Sequence, residues 1–195
     1  MNIFDNEIIL ESGNIMLRPL STEDLPGLNS IAFTGDLWKF YPTRVTNEEE
    51  LGNLVKEMIK LRANKERIPF TILDKGCNCP MGSTSYLNIS EKNKRLEIGA
   101  TWLGKKFQGT GVNKICKFLL LRFAFEELNY DRVELKADVL NMQSRKAMLK
   151  IGAKEEGILR SHMLMHDGRR RDSIYYSILK NEWEDIKKNI FPELC

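Results

Sequence analysis

The chain has 195 residues, of which 42% are hydrophobic and 29% are charged. This composition is typical of a globular protein and excludes disordered, collagen-like and coiled-coil proteins. Thirty basic and 27 acidic residues leave a net charge of +3, and the pI near 8.6 lies below the value of about 9 above which nucleic-acid-binding domains fall. Direct nucleic-acid binding is therefore not expected.

The longest uninterrupted apolar run covers residues 118–121, far short of the ~20 residues that a membrane-spanning helix needs. Residues 1–7 lack the basic start and apolar core of a signal peptide. We expect one domain over residues 1–195, no membrane partner, a cytoplasmic location, and either a monomer or a homodimer.

The first third of the chain predicts two strands and two helices. Strand-forming residues at 7–10 and 15–20 flank a turn, and capping groups then begin a helix over 21–33. Apolar residues at helical spacing follow three glutamates and predict a second helix over 46–64.

The centre of the chain predicts an antiparallel meander of three strands, over 68–73, 81–89 and 96–103, because turn signals separate runs of strand-forming residues. A long apolar stripe over 112–128 predicts a deeply buried helix.

The last third predicts a strand over 132–138, a helix over 141–151 that ends at Gly152, and two strands around a turn at 167–168. The fold class is mixed α/β (α+β), with a mostly antiparallel central sheet flanked by helices. The strand over 132–138 joins in parallel, since a buried helix precedes it.

The four cysteines are expected to be free thiols. Cys77 and Cys79 are separated by one residue, and Cys116 lies in the apolar helix. A Cys-x-Cys pair has neither the usual spacing of a zinc site nor a second ligand pair, so no metal is expected.

One segment carries the chemistry. After the strand over 96–103, a loop with Gly109 and Gly111 opens directly into the helix that starts at 112. This geometry directs unpaired backbone N–H groups and the positive helix end at one point, which favours a phosphate or diphosphate. A Walker A loop would need Lys where Thr110 stands, and a dinucleotide loop would need Gly at Lys114.

The remaining pattern, Gln-x-x-Gly-x-Asn over 108–113, resembles the diphosphate loop of the GNAT superfamily of N-acetyltransferases. The series Asn141-x-x-Ser144 and the segments 150–157, 167–172 and 176–183 are similar to its RimJ/RimL branch, which includes ribosomal-protein N-terminal acetyltransferases. The resemblance extends from residue 17 to 183 and implies a GNAT-type fold.

The resemblance implies acetyl-CoA as co-substrate and an acetyl transfer to a primary amine, either a protein N-terminus or a small amine, in a ternary complex. The implied cofactor-binding residues are Trp102 and Leu103 through their backbone, the loop residues Gln108, Gly109, Thr110, Gly111, Val112 and Asn113, and Asn141 and Arg145. Asn141 would also be a favourable helix cap.

Two positions depart from the family pattern. Asn113 replaces a small residue of the loop. Met148 stands where many members have a Tyr that protonates the leaving thiolate, and a thioether cannot donate a proton. Ser144, one helical turn earlier, is the implied hydrogen-bond donor to the sulfur, or else a surface or capping serine.

An alkyl amine with a pKa of ~10 must lose a proton before it attacks. Glu97 lies on the strand that leads into the loop, where family members often have such a base. The alternatives are a solvated Glu97 paired with Arg95 or a lysine, or a water chain that removes the proton.

Trp38, Phe40 and Tyr41 are predicted to line the acceptor site, although a place in the core is the alternative for these aromatic residues.

His162 and His166 are too far apart on a strand to share a metal ion. The run 169–171 of three arginines is expected to be a solvated turn tip. A non-catalytic acyl-CoA-binding module and a ribosome- or RNA-associated binding protein are the alternative functions.

Overall fold

The computed structural model describes residues 3–4 and 6–195. The segment from which no signal peptide is predicted, residues 1–7, lies partly outside them. Within the described residues the strands form one eight-stranded sheet in the order β1-β2-β3-β4-β5-β6-β8-β7. The strands are β1 Leu10–Ser12, β2 Ile15–Pro19, β3 Ile68–Asp74, β4 Cys79–Ser90, β5 Arg95–Leu103, β6 Arg132–Asp138, β7 Lys154–Leu164 and β8 Arg170–Leu179.

The helices are α1 Leu25–Ala32, α2 Glu48–Ala63, α3 Val112–Arg122, α4 Met142–Lys150 and α5 Lys180–Ile190. The mixed, mostly antiparallel fold class is confirmed, and β5 and β6 form the predicted parallel pair. None of the helices in the described residues is long and apolar enough to cross a membrane.

The helices cover both faces of the sheet. Leu103 belongs to the core that includes the buried residues of α3, whereas Trp102 belongs to the core that includes those of α1 and α2. Because consecutive strand residues point to opposite faces, α3 and the α1–α2 pair lie on opposite sides of β5. We call these sides the α3 face and the α1–α2 face.

Two predicted elements differ from the structure, and one helix was not predicted. The first strand begins at Leu10 and not at residue 7. The helix predicted over 112–128 changes to π-helical hydrogen bonding over Phe123–Glu127, although its path continues. Helix α5 was not predicted, because its polar and apolar residues follow a strand without a turn.

The prediction of free thiols was wrong for one pair. Cys77 and Cys79 are joined in a disulfide, while Cys116 and Cys195 are free. The single residue between the pair, Asn78, adopts a left-handed conformation with φ 53°, and the two Cα atoms lie 5.2 Å apart. This separation lies within the range that a disulfide can bridge.

Candidate active site

Two side chains of the loop between β5 and α3 form hydrogen bonds to nearby backbone. The Gln108 side-chain amide donates to the carbonyl oxygen of Leu103 at 3.0 Å, and the Thr110 hydroxyl donates to the carbonyl of Phe107 at 2.7 Å. Gln108 therefore fixes the start of the loop to the end of β5. Both bonds are local, and residues 109–111 are exposed at the surface.

Gly109 and Gly111 give this loop its shape. Their φ angles are 77° and 93°, in the left-handed region that only glycine adopts at low cost, and a Cβ atom at either position would meet nothing within 4 Å. The open space beside both glycines is where a ligand can approach the backbone closely.

The N-terminus of α3 has no side-chain cap and no acidic residue in its first turn. By contrast, Asn47 caps α2, whose first turn contains three glutamates. The first-turn N–H groups of α3, at Val112 and Asn113, therefore point out of the helix without an intrahelical acceptor. This chemistry fits a diphosphate, which would accept these hydrogen bonds and lie at the positive helix end.

Strands β5 and β6 diverge beside this loop. They are paired only from Arg95 to Glu97, although β5 continues to Leu103 and β6 to Asp138. On its other edge β5 has a register shift against β4, and Ala100 in this stretch has a φ of 47°. The diverging strands leave a gap in the sheet in which β5 backbone groups are available to a bound chain.

Thr101, in the irregular part of β5, is contacted from both faces. Its hydroxyl bonds to Lys117 Nζ and to the Thr84 hydroxyl, each at 2.7 Å, on the α3 face. The Tyr41 hydroxyl donates to the Thr101 carbonyl from the α1–α2 face. Burial raises the pKa of Tyr41 well above its usual value, so this hydroxyl keeps its proton.

Lys117 was not predicted as a site residue. Burial lowers its pKa to about 8, and no carboxylate in the described residues pairs with it. A lysine inside the apolar run of α3 was the available sequence signal, because lysine is rarely buried without a partner.

Helix α4, which follows β6, contains or adjoins the other cofactor candidates. Asn141 caps the helix, since its side-chain oxygen accepts from the Ser144 N–H at 3.0 Å. Arg145 donates to the Tyr176 hydroxyl at 3.3 Å and to the Val139 carbonyl at 3.2 Å. Within the described residues the Ser144 hydroxyl has no hydrogen-bond partner and is half-buried, whereas Met148 is buried.

Glu97 is buried and ion-paired, not solvated. Its Oε2 accepts from Lys136 Nζ at 3.1 Å and from the Asn88 amide at 2.8 Å, while Arg95 pairs instead with Glu134. In the described part of the chain no hydrogen bond reaches Oε1, and a Cβ atom at Gly99 would lie only 2.9 Å from it. One carboxylate oxygen is thus available for a proton.

The predicted acceptor residues lie together on the α1–α2 face. The Trp38 ring lies 5.2 Å from that of Tyr41 and 5.5 Å from that of Trp102. Trp38 is buried and Phe40 and Tyr41 are half-buried, so the alternative of a core position holds for Trp38. A cavity of about 380 Å³ lies between the 33–46 segment and the β7–β8 turn, and it is lined in part by Trp38 and His166.

The prediction of a solvated arginine tip over 169–171 was wrong for two of the three residues. Arg169 pairs with buried Asp138 at 2.5 Å, and Arg171 is only 5% exposed. Arg170 is exposed, as predicted. Successive residues of β8 point to opposite faces, and Arg171 points inward. The turn signal before β8 gave no indication of this alternation.

His162 lies on β7, where its Nδ1 is 3.0 Å from the Ser173 hydroxyl. Neither this histidine nor any other residue of the described ranges belongs to a group of three or more that could hold a metal ion.

Comparison with known proteins decides the family. The pattern of the acetyltransferase (GNAT) domain matches residues 14–154, well over half of the chain. The chain belongs to the GNAT family of acetyltransferases. Proteins with this domain use acetyl-CoA, and the resemblance predicted from the sequence is confirmed.

This acetyltransferase is 32% identical over 151 residues to a Bacillus subtilis (strain 168) protein, YdaF, provisionally named a ribosomal N-acetyltransferase; the match covers 77% of this chain and 80% of that protein. It is 31% identical, with a TM-score of 0.86, to a provisionally named acetyltransferase from T. thermophilus, over 96% and 97% of the two chains. A ribosomal-protein-S5-alanine acetyltransferase from Vibrio fischeri shares the fold, with 19% identity and a TM-score of 0.73 over 90% and 98%.

Proposed function

We propose that this acetyltransferase transfers the acetyl group of acetyl-CoA directly to a primary amine bound in the same complex. The observation that carries the proposal is the gap between β5 and β6, with the uncapped start of α3 at one end and buried Glu97 beside it. When bound, acetyl-CoA supplies an activated thioester carbonyl. Holding an amine next to it can by itself provide much of the acceleration.

The residues that would hold the cofactor fit that role. Backbone N–H groups over 108–113 would bind the diphosphate, and the backbone of Trp102 and Leu103 would pair with the pantetheine arm. The side-chain amide nitrogen of Asn141 is available because the cap uses only its oxygen. Arg145 would act by holding the start of α4, since its guanidinium is bound to the chain itself.

Proton transfer is assigned to two residues. Glu97 Oε1 would accept the amine proton, directly or through a water chain, while Lys136 stays paired with Oε2. The unpartnered Ser144 hydroxyl would donate a hydrogen bond to the sulfur, which buried Met148 cannot do.

The acceptor would lie on the α1–α2 face, beside Tyr41 and Phe40. The name of YdaF, a provisionally named ribosomal N-acetyltransferase, supports a ribosomal protein as the acceptor, and its N-terminus is the amine that we propose. A ribosomal acceptor would agree with the predicted cytoplasmic location. The pairing of Arg169 and the burial of Arg171 argue against an RNA-binding surface at that turn.

The chain is proposed to act as one domain. The family match ends at residue 154, but β7 and β8 lie in the same sheet as the strands within the match. The segment after 154 therefore completes the site instead of forming a separate unit.

The test is a thiol-release assay with acetyl-CoA and a panel of amines and N-terminal peptides. Glu97→Gln should lower kcat by about 10²–10⁴-fold, the usual contribution of a general base. Ser144→Ala should also lower kcat, and Glu49→Gln, at an exposed position in α2, is the matched control. Unchanged rates in both variants would remove these two assignments, and binding of acetyl-CoA without thiol release for any amine would indicate a non-catalytic module.

A further inference from the structure

Three cationic side chains act on Glu97: Lys136 of β6, Arg171 of β8, and Arg67, which comes directly before β3. Lys136 forms the ion pair described above, and Arg67 and Arg171 both exert electrostatic attraction on Glu97. Glu57 also attracts Arg67, and Asp138 attracts Arg171 although it is paired with Arg169. With Arg169 counted, four cations face three carboxylates, so the cluster holds one excess positive charge beside the proposed base.

Arg67 has a neutral partner in the described residues. Its Nε donates to the Ser85 hydroxyl at 2.8 Å, and Glu57 and Glu97 attract it without an ion-pair contact. Burial lowers the pKa of Arg67 relative to the usual value for arginine.

Arg171 is more deeply buried and less satisfied. Its Nη1 donates to the Phe40 carbonyl at 3.4 Å, and its buried Nε has no hydrogen-bond partner among the described residues. The neighbouring carboxylate, Asp138, is occupied by Arg169. A buried guanidinium with an unpaired N–H is unfavourable unless a ligand supplies an acceptor.

Both guanidinium groups lie near the proposed acceptor site. Arg171 reaches the Phe40 carbonyl, beside Tyr41, and Arg67 donates to Ser85, which lies opposite Gly99 on β5, two residues after Glu97. The positive charges of both arginines also oppose the burial that raises the pKa of Tyr41. Guanidinium groups bind carboxylates in a planar, charge-assisted geometry.

We propose that the acceptor is a primary amine that also carries a carboxylate, and that Arg67 and Arg171 bind this carboxylate while the amine lies at Glu97. This inference rests on the proposed function. The carboxylate can come from an acidic side chain near a peptide N-terminus or from a free amino acid, and both sources present the same chemistry to the two arginines.

The experiment compares matched acceptors that differ only in charge. One arm uses an N-terminal peptide with Glu at its second position against the same peptide with Gln, and the other uses an amino acid against its amide. We expect kcat/KM to be at least about tenfold higher for the carboxylate acceptor in one arm, mainly through a lower KM. The arm that shows this preference identifies the source.

Arg171→Gln and Arg67→Gln should each bring the ratio of the two kcat/KM values towards one. Arg67 is half-buried, so its variant keeps the test valid if Arg171→Gln unfolds. Arg170→Gln is the matched control, because Arg170 is exposed on the same strand and bonds to Ser161. The control should retain the preference.

Equal kcat/KM values for charged and neutral acceptors, or a preference that persists in both arginine variants, would overturn this inference and leave acetyl transfer intact. Absence of thiol release with every acceptor would overturn the proposed function as well. Thermal unfolding of each variant separates lost recognition from lost structure.

Discussion

Lys117 couples the stability of the protein to pH. Burial lowers its pKa from 10.5 to about 8 in the folded chain. Below about pH 8 the lysine is charged in both states, and the folded state bears the cost of a buried charge. Between about pH 8 and 10.5 the unfolded chain binds a proton that the folded chain does not, so this group makes stability rise with pH.

Lys117→Met should therefore stabilise the protein at pH 7 by roughly 1–3 kcal/mol, since a shift of one pKa unit corresponds to about 1.4 kcal/mol and the lost bond to Thr101 offsets part of the gain. The advantage should shrink as the pH rises from 8 to 10.5. Denaturant unfolding of both proteins at pH 7 and pH 10 measures the difference. A difference independent of pH would contradict the lowered pKa.

Individual residues were predictable where a backbone motif fixes them. Gly109, Gly111 and Asn141 could be found because a left-handed turn and a helix cap each require particular residue types. Glu97 was located correctly on β5, but its burial and its partner Lys136 depend on a neighbouring strand 39 residues away in the chain. Arg171 could not be assigned because a turn motif carries no information about the face towards which the next strand residue points.

Substitution by alanine should have opposite effects on protein stability at two glycines in different elements. A Cβ at Gly82 on β4 would lie 2.0 Å from the Trp102 carbonyl oxygen, so the two strands would have to separate next to the irregular part of β5. Gly82→Ala should destabilise the protein by roughly 1–3 kcal/mol, the usual cost of overpacking. The midpoint of urea unfolding measures this loss of stability.

Gly52 in α2 is the matched control, because a Cβ there meets no atom within 4 Å. Gly52→Ala should stabilise the protein by about 0.5–1 kcal/mol through helix propensity. If both variants shifted the midpoint in the same direction, close approach of the β4 and β5 backbones would not explain Gly82.

Elements were predictable where periodicity and a boundary signal coincide. The α2 helix and β6 have both, and their structural bounds agree with the prediction. The π-helical turn after Arg122 keeps the apolar spacing of a helix, so the sequence pattern does not distinguish it. Helix α5 follows β8 without a turn residue, and its presence depends on the burial of Trp183 against Phe118 and Phe125.

At the level of the whole molecule, the proposed cofactor loop leads into α3 on one face of the sheet, and the proposed acceptor site lies on the α1–α2 face. The fold class was predictable from the alternation of strand and helix patterns. The gap between β5 and β6 was not, because it depends on where pairing stops, at Glu97, within two strands that both continue. The cation excess beside Glu97 likewise arises from β6, β8 and the residue directly before β3, which only the sheet order brings together.

Coenzyme A should stabilise the folded chain through the α3 loop. At a concentration one hundred times its Kd, the expected gain is about 2.7 kcal/mol, which corresponds to a rise in Tm of roughly 5–10 °C. Gly111→Ala places a methyl group in the open space beside the uncapped helix and should abolish most of this rise. Thermal unfolding with and without coenzyme A measures it.

The control for backbone strain is Gly13→Ala in the β1–β2 turn. Gly13 also has a positive φ, 53°, and open space around its Cβ position, so both variants introduce a left-handed alanine. Both should therefore lower Tm without ligand, but only Gly111→Ala should lose the response to coenzyme A. Arg171→Gln should keep that response, because Arg171 is assigned to the acceptor and not to the cofactor. A full response in Gly111→Ala would place the diphosphate away from the start of α3 and remove the physical basis of the cofactor site.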